Sequence, residues 1–407
     1  MYTKKHLIQA FVLLALPAST WGTTRAVSNA GVIVGCAATY STIQAAISAS
    51  APNDTVVVCN TGVPFNEQVV ISKAITLAGR PGAEIQPNPL VANTASLISP
   101  FSPIAAAIWV TPGTTGVIIY GLIVDGSLNG ISGCLPNPIG IYYQNASGTA
   151  AYNAVKNFEL GPGLQGCQAG IGIFAQTDGS GGASTVIAAL NSVHDFQKTG
   201  IVGNETGTTL TAEENIVTGV GPTPNIAQNG IQIGFGATGS ITGNTVSNVS
   251  YSPCSTVANC PGSATGILLY DSSGAIVTRS NNVSSTQGAV VYISVNGGSI
   301  SSNVISNTLV FDGIDIDTDG SSPGTGNTVS SNTIMNSSES SVYVDTAGNS
   351  VVNNKFIEAP IGIWFVAAGS SQSGNKFLDI PLSVQSGPGS SVANASLSGS
   401  PKPQPAR

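Results

Sequence analysis

Short apolar runs rich in Ile, Val and Tyr alternate with Gly, Asn, Ser and Thr along the chain, and the runs recur in phase. Gly140-Ile141-Tyr142-Tyr143, Gly170-Ile171-Gly172-Ile173, Gly200-Ile201-Val202, Gly230-Ile231-Gln232-Ile233, Gly266-Ile267-Leu268-Leu269 and Gly288-Ala289-Val290-Val291 align with one another. Gly313-Ile314-Asp315-Ile316, Ser341-Val342-Tyr343-Val344 and Gly362-Ile363-Trp364-Phe365 continue the series. A second register follows each start, marked by Asn215-Ile216, Asn244-Thr245, Asn282-Val283, Asn303-Val304, Asn332-Thr333, Asn354-Lys355 and Asn375-Lys376. Each unit is therefore predicted to hold two or more short strands joined by Gly/Asn/Ser turns. Such a unit cannot bury its apolar side alone, so the units must stack as a solenoid. At ~4.8 Å per coil, about ten coils make a rod roughly 50 Å long. Asn suits the turns because it tolerates left-handed backbone and can bond to its own copies as a ladder.

Strand alternation turns this alignment into faces. The residue after each unit start points inward, which sends Tyr142, Gln144, Gly172, Phe174, Gln232, Leu268, Tyr270, Val290, Tyr292, Asp315, Asp317, Tyr343, Asp345 and Trp364 outward. One face of the rod is then expected to carry aromatic and acidic side chains together.

Composition narrows the function classes. Only 8% of the 407 residues are charged, with 49 Gly and 23 Pro, against about 25% charged in ordinary globular domains. The mean hydropathy of +0.25 excludes a disordered chain. A net charge of −7 with 12 Lys and Arg argues against a nucleic-acid partner, whose phosphates need cations. Lys4, Lys5 and His6 precede the apolar run Leu7 to Leu16, and small residues follow from Ala18, the order of a secretory signal peptide assigned to residues 1–26. The run is shorter than the ~20 residues a bilayer span needs. A secreted monomer without a membrane span in its mature chain is expected.

The segments Tyr40-Ser41-Thr42-Ile43-Gln44-Ala45-Ala46-Ile47, Asp54 to Cys59, Asn66 to Ile71 and Ile75 to Gly79 resemble the opening of the right-handed parallel β-helix proteins of the pectin-lyase-like superfamily. The resemblance covers roughly Cys36 to Val384. It implies an all-β, single-stranded right-handed parallel β-helix over residues 27–386, with an N-terminal capping helix and a flexible Ser/Gly/Pro-rich tail at 387–407. It also implies a polysaccharide partner on the exposed face. The acidic segments of pectinesterases are absent, since Asp195-Phe196 leads into Gln197-Lys198.

Six cysteines in an exported chain favour disulfides. Coil phase puts Cys134 and Cys167 near one corner of adjacent coils, and Cys254 with Cys260 closes a loop inside the longest unit. Cys36 with Cys59 would pin the capping helix to the first strand.

For chemistry, Asp315-Ile316-Asp317-Thr318-Asp319-Gly320 is the densest acidic cluster. Asp315 and Asp317 lie about 6.6 Å apart along one strand, and Asp317 and Asp345 are expected to stack at ~4.8 Å, spacings near those of glycosidase carboxylate pairs. Asp315, Asp317 and Asp345 are the candidate catalytic residues, and Tyr270, Tyr292, Tyr343 and Trp364 the candidate sugar-stacking residues. No cofactor is required, but clustered carboxylates also fit Ca²⁺ at Asp315, Asp317 and Asp319. The EF-hand pattern fails there, because its twelfth position is Gly326. Two rival readings stand beside the polysaccharide-binding one: a noncatalytic adhesin-like rod, and a calcium-dependent lyase drawing its base from a loop, since no outward position is Lys or Arg.

Overall fold

The computed structural model describes residues 22–31, 33–252, 254, 260, 262–272, 274, 276–387 and 405–406. Among them the strands form three sheets of 13, 11 and 12 strands, referred to below as sheets 1, 2 and 3. The chain visits the sheets in turn. Gly148–Ala151 lies in sheet 1, Ala154–Phe158 in sheet 2 and Ile171–Gln176 in sheet 3, and Ser184–Ala189 returns to sheet 1 parallel to Gly148–Ala151. Every coil is thus hydrogen-bonded to the one before and the one after, and no coil carries a closed core of its own. The last strand of sheet 3 is Leu382–Ser386.

The corner between sheets 1 and 2 is made by two residues. A left-handed residue comes first (Leu190, Glu214, Ser280, Ser302, Ser331 and Asn353, all with φ between 54° and 58°), and a buried asparagine follows. Asn153, Asn191, Asn215, Asn244, Asn281, Asn303, Asn332, Asn354 and Asn375 form a continuous ladder, each Nδ2 donating to the Oδ1 of the next at 2.9–3.1 Å. The same Oδ1 also accepts the backbone N–H of the preceding asparagine, as Asn303 does from Asn281 at 2.9 Å. The ladder offsets the cost of left-handed backbone at non-glycine residues, roughly 1–2 kcal/mol each. The sequence reading misplaced one rung: Asn281 is the ladder residue, and Asn282 is exposed.

Inside the coils, Ile141, Ile173, Ile201, Ile231 and Ile267 stack in register and are fully buried. Burial of each contributes about 1.5–3 kcal/mol. The glycine before each of these isoleucines faces the interior as well. A Cβ on Gly172 would lie 2.5 Å from Val193 Cγ1 and 2.6 Å from Gly200 O, so the repeating glycine follows from close packing between sheets 2 and 3.

At the amino-terminal end, the helix Ile43–Ala49 lies against the terminal strand Val69–Ile71 of sheet 3. Gln44 pairs with Val70 through both its amide atoms (3.2 and 2.8 Å), as a neighbouring strand would. Glu67 accepts the N–H groups of Ile43 and Gln44 at 2.7 and 3.0 Å, satisfying donors at the helix start. The strand Thr24–Val27 pairs with Thr55–Val58, and Arg25 bridges Asp54 at 3.0 Å. The strand Thr24–Val27 thus runs across the expected boundary at residue 26; the charged and apolar residues read as a signal peptide lie outside the described residues. The three cysteine pairs are disulfides as expected: Cys36–Cys59, Cys134–Cys167 and Cys254–Cys260. No helix among the described residues is long and apolar enough to cross a membrane.

The ladder gives the first prediction. Asn281→Ala deletes two donated bonds, to Ile241 O and Asn303 Oδ1, and two accepted from Asn244, all 2.9–3.0 Å. A loss of about 3 kcal/mol is expected in denaturant unfolding, whereas Asn282→Ala should stay within about 0.5 kcal/mol.

Candidate functional site

The outward face of sheet 3 carries two columns of side chains. In the first, Trp109, Tyr142, Phe174, Val202, Gln232, Leu268, Val291, Asp315, Tyr343 and Trp364 follow one another in register. In the second, Gln144, Gln176, Asn204, Gly234, Tyr270, Ile293 and Asp317 do the same. Asp345 takes the next place, since its N–H bonds Ile316 O at 2.9 Å. The strands of sheet 3 contain no lysine or arginine.

Alternation misassigns the strand Gly288–Ile293. Val290, not Ala289, is in register with Ile267, and Leu269 is in register with Tyr292. Tyr292 therefore points inward and is 0% exposed, with its hydroxyl on Thr278 Oγ1 at 2.8 Å. Ala289, rather than Gly288, occupies the repeating glycine's place, and this one-residue slip reverses every face on the strand. The same slip moves Val290 inward, and Gly172, too, belongs to the interior column. Tyr292 is thus a core residue and not a ligand contact.

Tyr270, Tyr343 and Trp364 do point outward, but as a covered row. Trp364 is 0% exposed and Tyr343 8%. Their rings meet edge to face at 5.5 Å, and Trp364 Nε1 donates to Gly387 O at 3.1 Å. Tyr270 is half-buried and donates to Asp319 Oδ2 at 2.5 Å.

Asp317 and Asp345 share the second column, and Asp315 in the first is in register with Tyr343. Its hydroxyl is held well above the ordinary phenol range by burial and by the charges of Asp345, Asp315, Asp312 and Asp317. Asp315, Asp317 and Asp345 are half-buried, so each keeps access to solvent. Asp319 belongs to a different arrangement. It accepts from Ser294 Oγ at 2.6 Å, from Ser321 N–H at 2.9 Å and from Tyr270, and these bonds outweigh burial to hold its carboxyl far below the usual range. Asp319 is therefore a turn-forming residue, and the proposed Ca²⁺ set dissolves: among the described residues no group of three or more His, Cys, Asp or Glu could hold a metal ion.

Sequence reasoning missed a second acidic pair. Asp312, fully buried at the start of the strand Ile314–Asp317, accepts the Ser340 N–H at 2.9 Å and also its hydroxyl. Burial raises the Asp312 carboxyl despite those bonds, and burial together with the Asp312 charge raises Glu339. The two share protons as a pair on adjacent coils. Their one sequence signal was an acid just before each of two aligned strands. Lys198 offers no base to this face, because it is fully buried and donates to Ala227 O at 2.8 Å, with its ammonium pushed down to about 7 by burial. His194 lies on sheet 2, against its neighbour Asp195 at 2.6 Å.

With this geometry in place, comparison with known proteins is informative. A family model described as "Periplasmic copper-binding protein (NosD)" matches residues 191–379, under half of the chain. Two solved structures are similar: the GH136 lacto-N-biosidase from Eubacterium ramulus (TM-score 0.57, 10% identity, 87% of this chain and 67% of that one) and a hyperthermoactive exopolygalacturonase from Thermotoga maritima (TM-score 0.50, 10% identity, 79% and 84%). The chain has the pectin-lyase-like right-handed parallel β-helix fold. None of the curated proteins matches its sequence. Copper does not fit this β-helix: the six cysteines are disulfide-bonded, and the sequence holds two histidines and two methionines, too few soft or imidazole ligands for such a centre.

Two predictions follow from the site. Tyr292→Ala should cost about 4 kcal/mol of stability, read by denaturant unfolding, while Tyr292→Phe changes no ligand affinity. The Asp312–Glu339 pair sets a pH dependence. Both folded-state pKa values lie above the unfolded range near ~4, so the folded state keeps protons that the unfolded chain releases. This contribution is full below that range and is lost as pH rises. Thermal unfolding of the wild type should fall by several degrees from about pH 5 to about pH 8, and Asp312→Asn, which keeps an acceptor for Ser340, should flatten the fall.

Proposed function

We propose that the protein is exported and binds a polysaccharide along the outward face of sheet 3, acting as a monomer. The observation that carries this reading is the placement of the half-buried Asp315, Asp317 and Asp345 on the outward face of sheet 3, which also presents Tyr270. Half-buried carboxylates and the half-buried Tyr270 ring on one face match a ligand that offers both hydroxyls and ring faces. Three disulfides support an oxidising compartment.

Hydrolysis of the bound glycan is the second part of the reading, favoured by the three half-buried carboxylates of Asp315, Asp317 and Asp345 on one face. In such a group one carboxyl can serve as general acid while another acts as base or nucleophile.

The test incubates the full chain with a panel of neutral and uronate polysaccharides, following new reducing ends and unsaturated uronate. Asp317→Asn is expected to lower the release of reducing ends by about 100-fold or more without changing the fold. Silence on the whole panel, with no glycan retained in affinity electrophoresis, would overturn the proposal in favour of a structural rod.

A further inference from the structure

Residues 405 and 406 lie on the same face of sheet 3, far from the last coil. Ala406 is 2% exposed and belongs to the apolar cluster of Ile104, Ala106, Tyr142, Phe174 and Val202. Its main chain is held by a clamp of two side-chain amides. The Ala406 N–H donates to Gln232 Oε1 at 2.8 Å, and its carbonyl accepts from Gln232 Nε2 at 2.7 Å and from Asn204 Nδ2 at 2.6 Å. Gln232 is itself oriented by Asn229 Nδ2 at 3.1 Å and by Asn204 Oδ1 at 2.9 Å. Asn204 and Gln232 are both fully buried beneath Ala406.

This clamp is more than a resting place for a chain end. Next to Asn204 in the same row, Gln176 is fully buried and accepts from the Tyr142 hydroxyl at 2.9 Å, while its Nε2 has no hydrogen-bond partner among the described residues. A buried donor left unmade costs about 1–3 kcal/mol, which marks the row as shaped for a larger polar ligand than Ala406. The donor and acceptor of one residue stand in for two neighbouring hydroxyls of a sugar, one donating to Gln232 Oε1 and one accepting from Gln232 Nε2. The clamp contains amides and no charged group, so it suits an uncharged unit.

Chain continuity permits the contact. Gly387 sits at Trp364, and from there to Gln232 the register runs through Tyr343, Asp315, Val291 and Leu268, about 24 Å at ~4.8 Å a step. The chain from residue 387 to 405 can span up to about 60 Å. The tail expected to be flexible is thus held at 405–406; residues 388–404 and 407 lie outside the described residues.

We infer that Asn204 and Gln232 form a subsite for two neighbouring hydroxyls of an uncharged sugar unit, and that residues 405–406 occupy it as an intramolecular competitor. The inference rests on the polysaccharide reading above and adds to it the class of sugar and the means by which the site is kept closed.

The test uses the full chain, the variant Ala406→Arg, whose side chain does not fit the apolar cluster, and Ala406→Arg combined with Gln232→Ala. Hydrogen exchange of the C-terminal peptide reports docking, and calorimetry measures binding of cellohexaose, mannohexaose, laminarihexaose and hexagalacturonate. In the wild type the Ala406 amide is expected to exchange at least tenfold more slowly than in Ala406→Arg. That variant should bind one neutral hexaose at least tenfold more tightly, and the added Gln232→Ala should remove the gain, with the β-sheet circular dichroism of the wild type retained in both variants. Equal exchange in wild type and Ala406→Arg would overturn the docking. Lost protection without any gain for a neutral hexaose would overturn the subsite, and a gain for hexagalacturonate would overturn the uncharged class. Glycan retention by the wild type in the polysaccharide panel separates failure of this inference from failure of the broader reading.

Discussion

Hydrogen bonding from one coil to the next, at a single strand spacing, is the constraint on which the rest of this protein depends. A coil has no interior of its own, so each backbone group at a corner must find its partner one layer away. The asparagine ladder does this at the sharpest corner, where a left-handed residue turns the chain and the following amide bonds both the ladder neighbour and a carbonyl of the preceding coil, as Asn303 bonds Thr278 O at 3.1 Å. Because the rungs polarise one another in a buried setting, removing one leaves several groups unsatisfied at once. The interior glycine column is the matching steric condition between sheets 2 and 3.

The same layering builds the functional face. Side chains two residues apart on a strand share a column with their counterparts on the coils above and below, so a few substitutions per coil write a row of chemistry along the rod. Upstream, the row is of amides and aromatic rings. Downstream, it becomes carboxylates around Tyr343. A parallel sheet buried on one side by the core can be opened or closed on the other by whatever lies across it, and the contact of Ala406 with Gln232 and Asn204 places the chain's own residues there.

Electrostatics on this face is governed by desolvation more than by ion pairing. Asp312 is raised although it accepts two bonds from Ser340, since burial outweighs them, whereas Asp319, more open to water and held by Tyr270 and two serines, is lowered. Two acids seven residues apart in sequence thus take opposite protonation behaviour, and neither follows from its residue type. The ion pairs of the rod lie on other faces, as between Lys156 and Asp125 at 3.2 Å in sheet 2.

The sequence by itself determined the repeat, the parallel β-helix, the asparagine ladder and the three disulfides. These rest on periodicity and spacing, which a one-dimensional stack converts directly into neighbours. Alternation also assigned the faces of Asp315, Asp317, Tyr343 and Trp364 correctly. Only the tertiary structure decided what one inserted residue can alter: Ala289 in the glycine column turns Tyr292 into the core, and Asn281 replaces Asn282 on the ladder. It alone revealed the Asp312–Glu339 pair, the Asn204–Gln232 clamp and the docking of Ala406, because these depend on burial and on contact between segments up to 202 residues apart, which no local period encodes.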